Sequence, residues 1–576
     1  MSQGADPITT EIIRNAFVSI ANDMNATLIR SAFTPIIYEG KDCSVALIDA
    51  DGQVLGQSLG LPLFLGNLEI CICLIAEKFG WDYFQEGDVI YTNDSYLTGT
   101  HLNDSTIIMP IFWQGARVGF AASRAHWLDV GAKDPGAPVD SFEIYQEGMR
   151  WGPTKLYEKG KPRTDVIELL RYNSRFGDAL VGDMNAQISA GKTGAKRLQG
   201  VYDRFSRETI ESAKQQIFAQ SERRERDELA AIPDGTYHAR GCLDNDGLGD
   251  EAVPVVVTVE VKGDRMVVDL EGSSAQTRGA VNCGYTQTVA AVRVAFKLMV
   301  CSEVAPNGGS FRALDVKAPV GSIFHAQEPA ACAWYFSSLG LLIDLVVKAL
   351  APVVPDKAAA AHYGDSMVVT FSGNDERAGG ERFLMVEPTT GGWGAYATGD
   401  GADSLINNVN GSFKDLPAEI FESKYPILIH AYGIRQDSGG AGEYRGGCGT
   451  YREYHLLSDA NLSLWFERSK TTAWGLFGGG SGEPPLVHIA QPGEAPLERL
   501  KVNSMPLSAG TIVTTNTGGG GAYGEALNRE PESVVSDVID GYVSRSSARE
   551  HYGVVIDENT ILDQEATATL RASMSA

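Results

Sequence analysis

The sequence predicts a multi-domain α+β fold, with an N-terminal metal-binding α+β region followed by glycine-rich mixed α/β and β-rich regions. Three observations carry that expectation. Helical periodicities before Ile232 enclose a set of short strand-like segments. His101 and His126, each with an aspartate three positions on (Asp104, Asp129), bracket a strand–turn–strand pattern. The last third alternates short strands with glycine clusters, in a chain holding 64 glycines. A chain of 576 residues exceeds one hydrophobic core, so two to four domains are expected. Breaks at Ile232-Pro233-Asp234-Gly235 and near Gly439 to Gly449 divide it into residues 1–232, 233–440 and 441–576.

Taken in order, Asp6-Pro7-Ile8-Thr9-Thr10-Glu11 reads as a helix entry with Thr9 or Thr10 as cap. Apolar residues from Ile12 to Leu28 at helical spacing carry it to about Ser31. Val45 to Ile48 and Val54 to Gly56 read as paired strands around Asp51-Gly52, and Asn67 to Phe79 as a buried helix holding Cys71 and Cys73. Ser105 to Ile111 and Val118 to Ser123 form the next hairpin, turning at Gln114-Gly115-Ala116. Asp134 to Gly152, rich in Gly, Pro and acids, reads as a long loop beside the histidines. Thr164 to Leu229 is helical almost throughout, with Ser221 to Glu228 as a solvated face. Strands follow at Val255 to Val261 and Met266 to Leu270, then helices at Thr286 to Val300 and Trp334 to Leu350. A helix over Pro531 to Tyr542 and a strand over Gly553 to Asp557 close the chain.

A net charge of −25 argues against binding nucleic acid or an anionic membrane. No apolar run reaches membrane-spanning length, and Met1 to Thr10 lacks an apolar signal core. Eight scattered cysteines without a CxxC pair read as reduced, buried thiols of a cytoplasmic protein.

Three glycine-containing signals fall short of a motif. Gly191-Lys192-Thr193 has Ala186 where a phosphate-binding loop needs glycine, and its surroundings are helical. Gly518 to Gly521 reads as a tight packing turn, and Gly478 to Gly482 departs from the GxSxG pattern at Glu483. The histidine pairs are stronger. A hairpin of this length brings its outer ends together, so His101, Asp104, His126 and Asp129 should meet at one rim. Two imidazoles with carboxylate oxygens suit a zinc, manganese or iron ion that keeps an open position.

The chain resembles the hydantoinase B family. This family groups β-type subunits of ATP-dependent hydantoinases, oxoprolinases and caprolactamase, with relatives in acetone and acetophenone carboxylases. The resemblance rests on Glu39-Gly40-Lys41-Asp42-Cys43-Ser44, Asn93-Asp94 leading into Thr100-His101-Leu102-Asn103-Asp104, His126, and Ile232 to Tyr237. It continues through Trp474 to Gly479, Gly518 to Gly521 and Tyr552 to Val555. It implies one divalent metal, zinc foremost with manganese or iron as alternatives, held by Asp42, His101, Asp104 and His126. It also implies a partner α-type ATPase subunit (hydantoinase A-like) that binds ATP and magnesium, in an α2β2 assembly. The implied activity is ring opening of a small cyclic amide: the partner phosphorylates the carbonyl oxygen, and metal-activated water completes hydrolysis here. Asp42 and Asp104 would be ligands, one of them also accepting the water proton, with Asp129 or Glu147 as a nearby base; orienting a ligating histidine is the alternative role for Asp129. A ketone carboxylase subunit and a non-catalytic structural subunit are the alternatives. One departure stands out: Pro62-Leu63-Phe64-Leu65-Gly66 has Phe64 where many relatives carry histidine, which implies a more apolar pocket or substrate.

Overall fold

The computed structural model describes residues 5–575. They divide into two compact units. The first comprises residues up to His238, Val256–Leu339 and Val409–Lys414. The second comprises Ala239–Val255, Gly340–Asn408 and the remainder from Asp415. This division replaces three consecutive segments with two interleaved ones and crosses both expected boundaries. Breaks in local pattern mark where elements end, whereas units depend on which segments return to pack together.

The first unit opens with α1 (Pro7–Ser31). Its cap is Asp6, whose side chain accepts from Ile8 N at 3.0 Å and Thr9 N at 3.1 Å. Thr9 and Thr10 therefore lie inside the helix, because Pro7 at the first helical position presets the backbone one residue after the acid. Next come β1 (Cys43–Asp49), β2 (Val54–Gln57), α2 (Leu68–Phe79), β3 (Val89–Thr92), β4 (Asp104–Trp113) and β5 (Ala116–His126). They are followed by β6 (Thr154–Glu158), β7 (Lys161–Pro162), α3 (Thr164–Tyr172), α4 (Gly177–Arg204) and α5 (Arg207–Ala230). The seven strands form one sheet in the order β2-β1-β5-β4-β3-β6-β7.

Alternation along these strands sends neighbours to opposite faces. Ile90 and Ile108 pack with Leu68, Ile72 and Ile75 of α2. Tyr91 and Ile107 pack with Leu180, Met184 and Ile188 of α4. Both faces are thus covered, which is why β1 is buried at all seven positions and reads as a continuous apolar run. Gly191 to Thr193 lie within α4, with no loop for phosphate. The charged stretch of α5 is not a uniformly solvated face. Ser221 and Glu225 are buried, and Glu225 accepts from Phe311 N at 2.7 Å and Lys297 Nζ at 3.2 Å.

The chain then runs through β8 (Gly235–Leu243), β9 (Val253–Lys262), β10 (Arg265–Asp269), α6 (Tyr285–Met299), β11 (Leu314–Lys317) and α7 (Tyr335–Leu350). It passes between the units within β8, β9 and α7. The second unit contains β12 (Val368–Asp375), β13 (Glu381–Glu387), β14 (Ile427–Ile434), β15 (Thr450–Leu456) and β16 (Ala460–Trp465). Its later strands are β17 (Leu486–Ala490), β18 (Leu497–Glu498), β19 (Lys501–Leu507) and β20 (Ile512–Asn516). Two sheets, β13-β12-β16-β19 and β14-β15-β20-β17-β18, share one core that includes Phe371, Leu462, Tyr454 and Val513. Gly519, Gly520 and Gly521 lie so close to the carbonyls of Ser438, Trp393 and Trp474 that a Cβ would fall on them. The tetraglycine is a packing turn.

The chain ends in α8 (Pro531–Ile539), α9 (Arg545–Tyr552) and α10 (Gln564–Met574). The strand expected over Gly553 to Asp557 is absent. Gly553, at φ 64°, caps α9, and the apolar residue Val554 packs among Val534, Val543 and Tyr552. All eight cysteines are free, but Cys73 is exposed rather than buried and Cys242 is half-buried. Among the described residues, no helix is long and apolar enough to cross a membrane.

Candidate metal centre

Three neighbouring strands set out the site in a row. In the β4–β5 pairing Asp104 lies directly opposite His126. The β1–β5 pairing sets Cys43 opposite Ala125, and one residue earlier His126 N–H donates to the Asp42 carbonyl at 3.1 Å. Residues opposed in this way carry their side chains on one face, about 5 Å apart at Cβ. His101 joins from the turn ahead of β4, where Asp104 N–H closes onto the His101 carbonyl at 3.1 Å.

The result is a tight buried cluster. His101 Nε2 lies 3.0 Å from Asp104 Oδ1 and 3.2 Å from His126 Nδ1, and His126 Nδ1 lies 3.4 Å from the same Asp104 oxygen. These three atoms fall within 4.8 Å of one another. Asp42 stands next along the row, outside that innermost set. Its buried Oδ1 has no hydrogen-bond partner among the described residues, and neither has His126 Nε2.

The donor pattern tests whether a cation fits. His101 Nδ1 faces the Ala333 carbonyl at 3.0 Å. A carbonyl only accepts, so Nδ1 carries hydrogen and the neutral ring turns its Nε2 lone pair toward Asp104. A lone pair, a second imidazole nitrogen and a carboxylate oxygen crowded within 3.4 Å repel unless something positive joins them. The residues fit a divalent ion. In protein alone the same conflict shows in the protonation equilibria. Burial and the Asp104 charge hold the Asp42 carboxyl well above its ordinary range. Burial would raise Asp104 too, but His101 and His126 outweigh it and hold that carboxyl low. Burial lowers His126, whereas for His101 the Asp104 charge overcomes burial and raises it. A cation opposes the rise at Asp42 and His101 and keeps Asp104 ionised and His126 neutral, the protonation states that ligands need.

Residues outside the sequence motif complete the cluster. Tyr335, at the start of α7, donates its hydroxyl to Asp104 Oδ2 at 2.9 Å and meets the His101 ring edge-on, with centroids 5.4 Å apart. Such an outer partner fixes which carboxylate oxygen faces inward. Only the aromatic run Trp334-Tyr335-Phe336 hints at it in the sequence. Phe64, at the position of the departure noted above, is buried with the Arg124 guanidinium 5.7 Å from its ring centroid. Arg124 shares the His126 face of β5 and donates to Thr106 Oγ1 and Asn67 Oδ1.

Two expected bases are committed elsewhere. Asp129 does not reach the cluster: its carboxylate accepts from Arg175 Nη1 at 2.7 Å and Arg175 N at 2.6 Å, with Ser174 Oγ at 3.2 Å. Three residues beyond the strand end, the chain has already turned toward the entry of α4. Glu147 is buried and pushed up to about 7 by burial, yet its oxygens accept from Ser141 Oγ, Cys332 N and Ala333 N at 2.8–3.0 Å. It holds the backbone whose carbonyl holds His101. Asp129→Asn should therefore lower stability by about 2–4 kcal/mol through the half-broken buried pair. Metal content per folded chain, measured by elemental analysis, should stay unchanged.

The profile of the hydantoinase B/oxoprolinase family matches residues 6–526. The chain belongs to that family. This hydantoinase B-type chain is 31% identical to the B-type component of a putative D-/L-hydantoinase from Pseudomonas sp. (strain NS671), covering 98% of each. It is 32% identical to the β chain of the caprolactamase of Pseudomonas jessenii, covering 99% of each. Its structure superposes on that of the ATP-dependent caprolactamase from Pseudomonas jessenii with a TM-score of 0.91. The identity there is 31%, over 99% of this chain and 100% of the other. A nucleotide-free acetone carboxylase structure gives a TM-score of 0.91 at 20% identity, over 99% of this chain and 83% of the other. At that identity the likeness speaks for the fold alone.

Proposed function

We propose that this chain is the metal-binding β-type subunit of an ATP-dependent cyclic amide hydrolase. The observation that carries the reading is the convergence of His101 Nε2, His126 Nδ1 and Asp104 Oδ1 beside the unpartnered Asp42 Oδ1. End-to-end likeness to components of a hydantoinase and a caprolactamase supports it.

These four residues would hold one divalent cation, zinc by their mixed nitrogen and oxygen donors, with manganese or iron as alternatives. When bound, such an ion lowers the pKa of water toward about 7 and polarises a carbonyl oxygen. The chain's own groups prepare the site. Ala333 O holds His101 in one tautomer, Tyr335 orients Asp104, and Tyr335 with Phe336 walls the imidazole from solvent. Asp42 would also take the proton of the bound water, on the carboxylate oxygen that does not hold the ion. Lactams and cyclic ureides resist water because amide resonance must be broken. Activation therefore falls to a partner ATPase subunit of the hydantoinase A type, which would bind ATP and magnesium and phosphorylate the carbonyl oxygen. An α2β2 assembly in the cytoplasm completes the reading, and eight free cysteines accord with that compartment.

The test is the chain co-expressed with its ATPase partner and given ATP with hydantoin, 5-oxoproline, caprolactam, acetone or acetophenone, with and without labelled bicarbonate. Ring-opened product without fixed label is expected. Label in a keto acid would move the chain to ketone carboxylation. Full activity in a metal-free preparation would leave it a structural subunit.

A further inference from the structure

The first unit holds a half-open cavity of about 820 Å³ that nothing in the reading above uses. None of the four residues of the candidate metal centre lines it. Its walls come from α1, the outer strand β2, the loop after β2, α6 and the loop that follows α6. They are mostly apolar, with Val54, Leu65, Val294 and Val304 among them. Leu59 and Leu298 line the same cavity and are 85% and 40% exposed, so apolar surface is left in water there. A space of this size with such walls suits a small organic molecule with an apolar body.

The polar groups on the wall define the rest of the occupant. Arg293 of α6 donates from Nη1 to the Gly66 carbonyl at 2.7 Å and to Glu69. Its Nε and Nη2 make no hydrogen bond among the described residues, and the side chain keeps 19% of its surface exposed. Those two nitrogens form the edge of the guanidinium whose parallel N–H bonds match both oxygens of one carboxylate. Phe311 backs the group, with Arg293 Cζ 4.9 Å from its ring centroid. It does so at φ 63°, a strained conformation of the kind found at ligand clamps. Lys297, one helical turn on, lines the same cavity and makes a single hydrogen bond, to Glu225 at 3.2 Å. Glu225 and Glu222, the partners of Lys297 and Arg312, do not line the cavity, whereas Glu69 does. Three cations thus face the space, and two of their three acids stand outside it.

We propose that this cavity binds a small organic carboxylate with an apolar body, with Arg293 donating to both carboxylate oxygens through Nε and Nη2. The apolar part lies against Val54, Leu65 and Val294, and the Lys297 ammonium attracts the charged end to the same wall. Recognition then needs both halves of the ligand. An uncharged amide of the same shape forgoes the charge-assisted bonds of the fork, and a short carboxylate leaves the apolar walls wet. The site is independent of the metal reading.

The test is calorimetric titration of the full chain at pH 8 with octanoate, octanamide and acetate. Saturable binding of octanoate is expected, tighter than octanamide by about tenfold or more, the scale of a hydrogen bond to a charged group. Acetate, which lacks most of the chain, should bind about 100-fold or more weakly than octanoate. Arg293→Lys keeps the charge but removes the fork, so it should weaken octanoate about tenfold and leave octanamide unchanged. Val294→Phe fills the cavity from its wall and should weaken both. The comparison of the three ligands on the wild-type chain stands even where a variant fails to fold. Octanamide binding as tight as octanoate, or no saturable binding of octanoate, overturns the proposal. So does octanoate binding that survives both variants, because a carboxylate held at the histidine–aspartate cluster is untouched by them.

Discussion

Replacing His101 with alanine is expected to remove bound metal and ATP-dependent ring opening together. His101 Nε2 is the atom closest to both other innermost donors, at 3.0 Å from Asp104 and 3.2 Å from His126. Without it, one imidazole and two carboxylates remain, and among the described residues the Asp104 carboxylate keeps His126 and the Tyr335 hydroxyl as partners. Loss of an outer partner typically costs 10–100-fold in metal affinity, so loss of an inner ligand should cost more than about 100-fold. The fold should persist, because outside the cluster the imidazole makes one hydrogen bond, to Ala333 O, worth about 1 kcal/mol, and edge contacts with Tyr335 and Phe336. Elemental analysis of the purified complex, circular dichroism and turnover with ATP separate these outcomes. His455→Ala on β15, outside the cluster, is the matched control and should keep its metal. An H101A complex with wild-type metal content would falsify the assigned centre.

The hairpin is legible in the sequence because strand alternation and a glycine turn are local signals. From it follows the meeting of His101, Asp104 and His126. Asp42 is a different case: it arrives because β1 pairs with β5, and a strand order of β1-β5-β4 leaves no trace in spacing. The family resemblance supplies Asp42, and periodicity does not. Tyr335 and Ala333 come from more than 200 positions away, as the buried hydrogen bonds to Asp104 and His101 require. Asp129 and Glu147 stand out by nearness in sequence, but direction decides such cases. Asp129 has turned to Arg175, and Glu147 to the backbone at Cys332 and Ala333. The missing strand at Gly553 has the same origin, since a run of apolar residues after a glycine suits a strand and a helix cap packed on its neighbours equally well.

Glu147 carries the second large effect. Its carboxylate receives the Ser141 hydroxyl and the N–H groups of Cys332 and Ala333, and the carbonyl of Ala333 in turn fixes His101. Glu147→Ala strands two buried N–H groups and should cost about 2–6 kcal/mol of stability. Glu147→Gln keeps an acceptor and the shape, so the fold should survive while metal affinity falls about 10–100-fold through the displaced His101. A pH profile separates positioning from mere support. Burial pushes this carboxyl up to about 7 from the ordinary 4.5. A group raised in the folded state gives stability that is complete below its unfolded value and is lost as pH climbs through the folded one. Metal-free wild type should thus lose on the order of 3 kcal/mol between pH 4.5 and 7, and E147Q should lack that slope. Adding zinc should move the wild-type slope to lower pH, because a nearby dication favours the carboxylate. Denaturant unfolding across that range, with and without metal, reads all three. Identical slopes in wild type and E147Q would show that Glu147 does not titrate there. A slope that zinc leaves in place would mean that the backbone link from Glu147 to His101 does not couple to the metal centre.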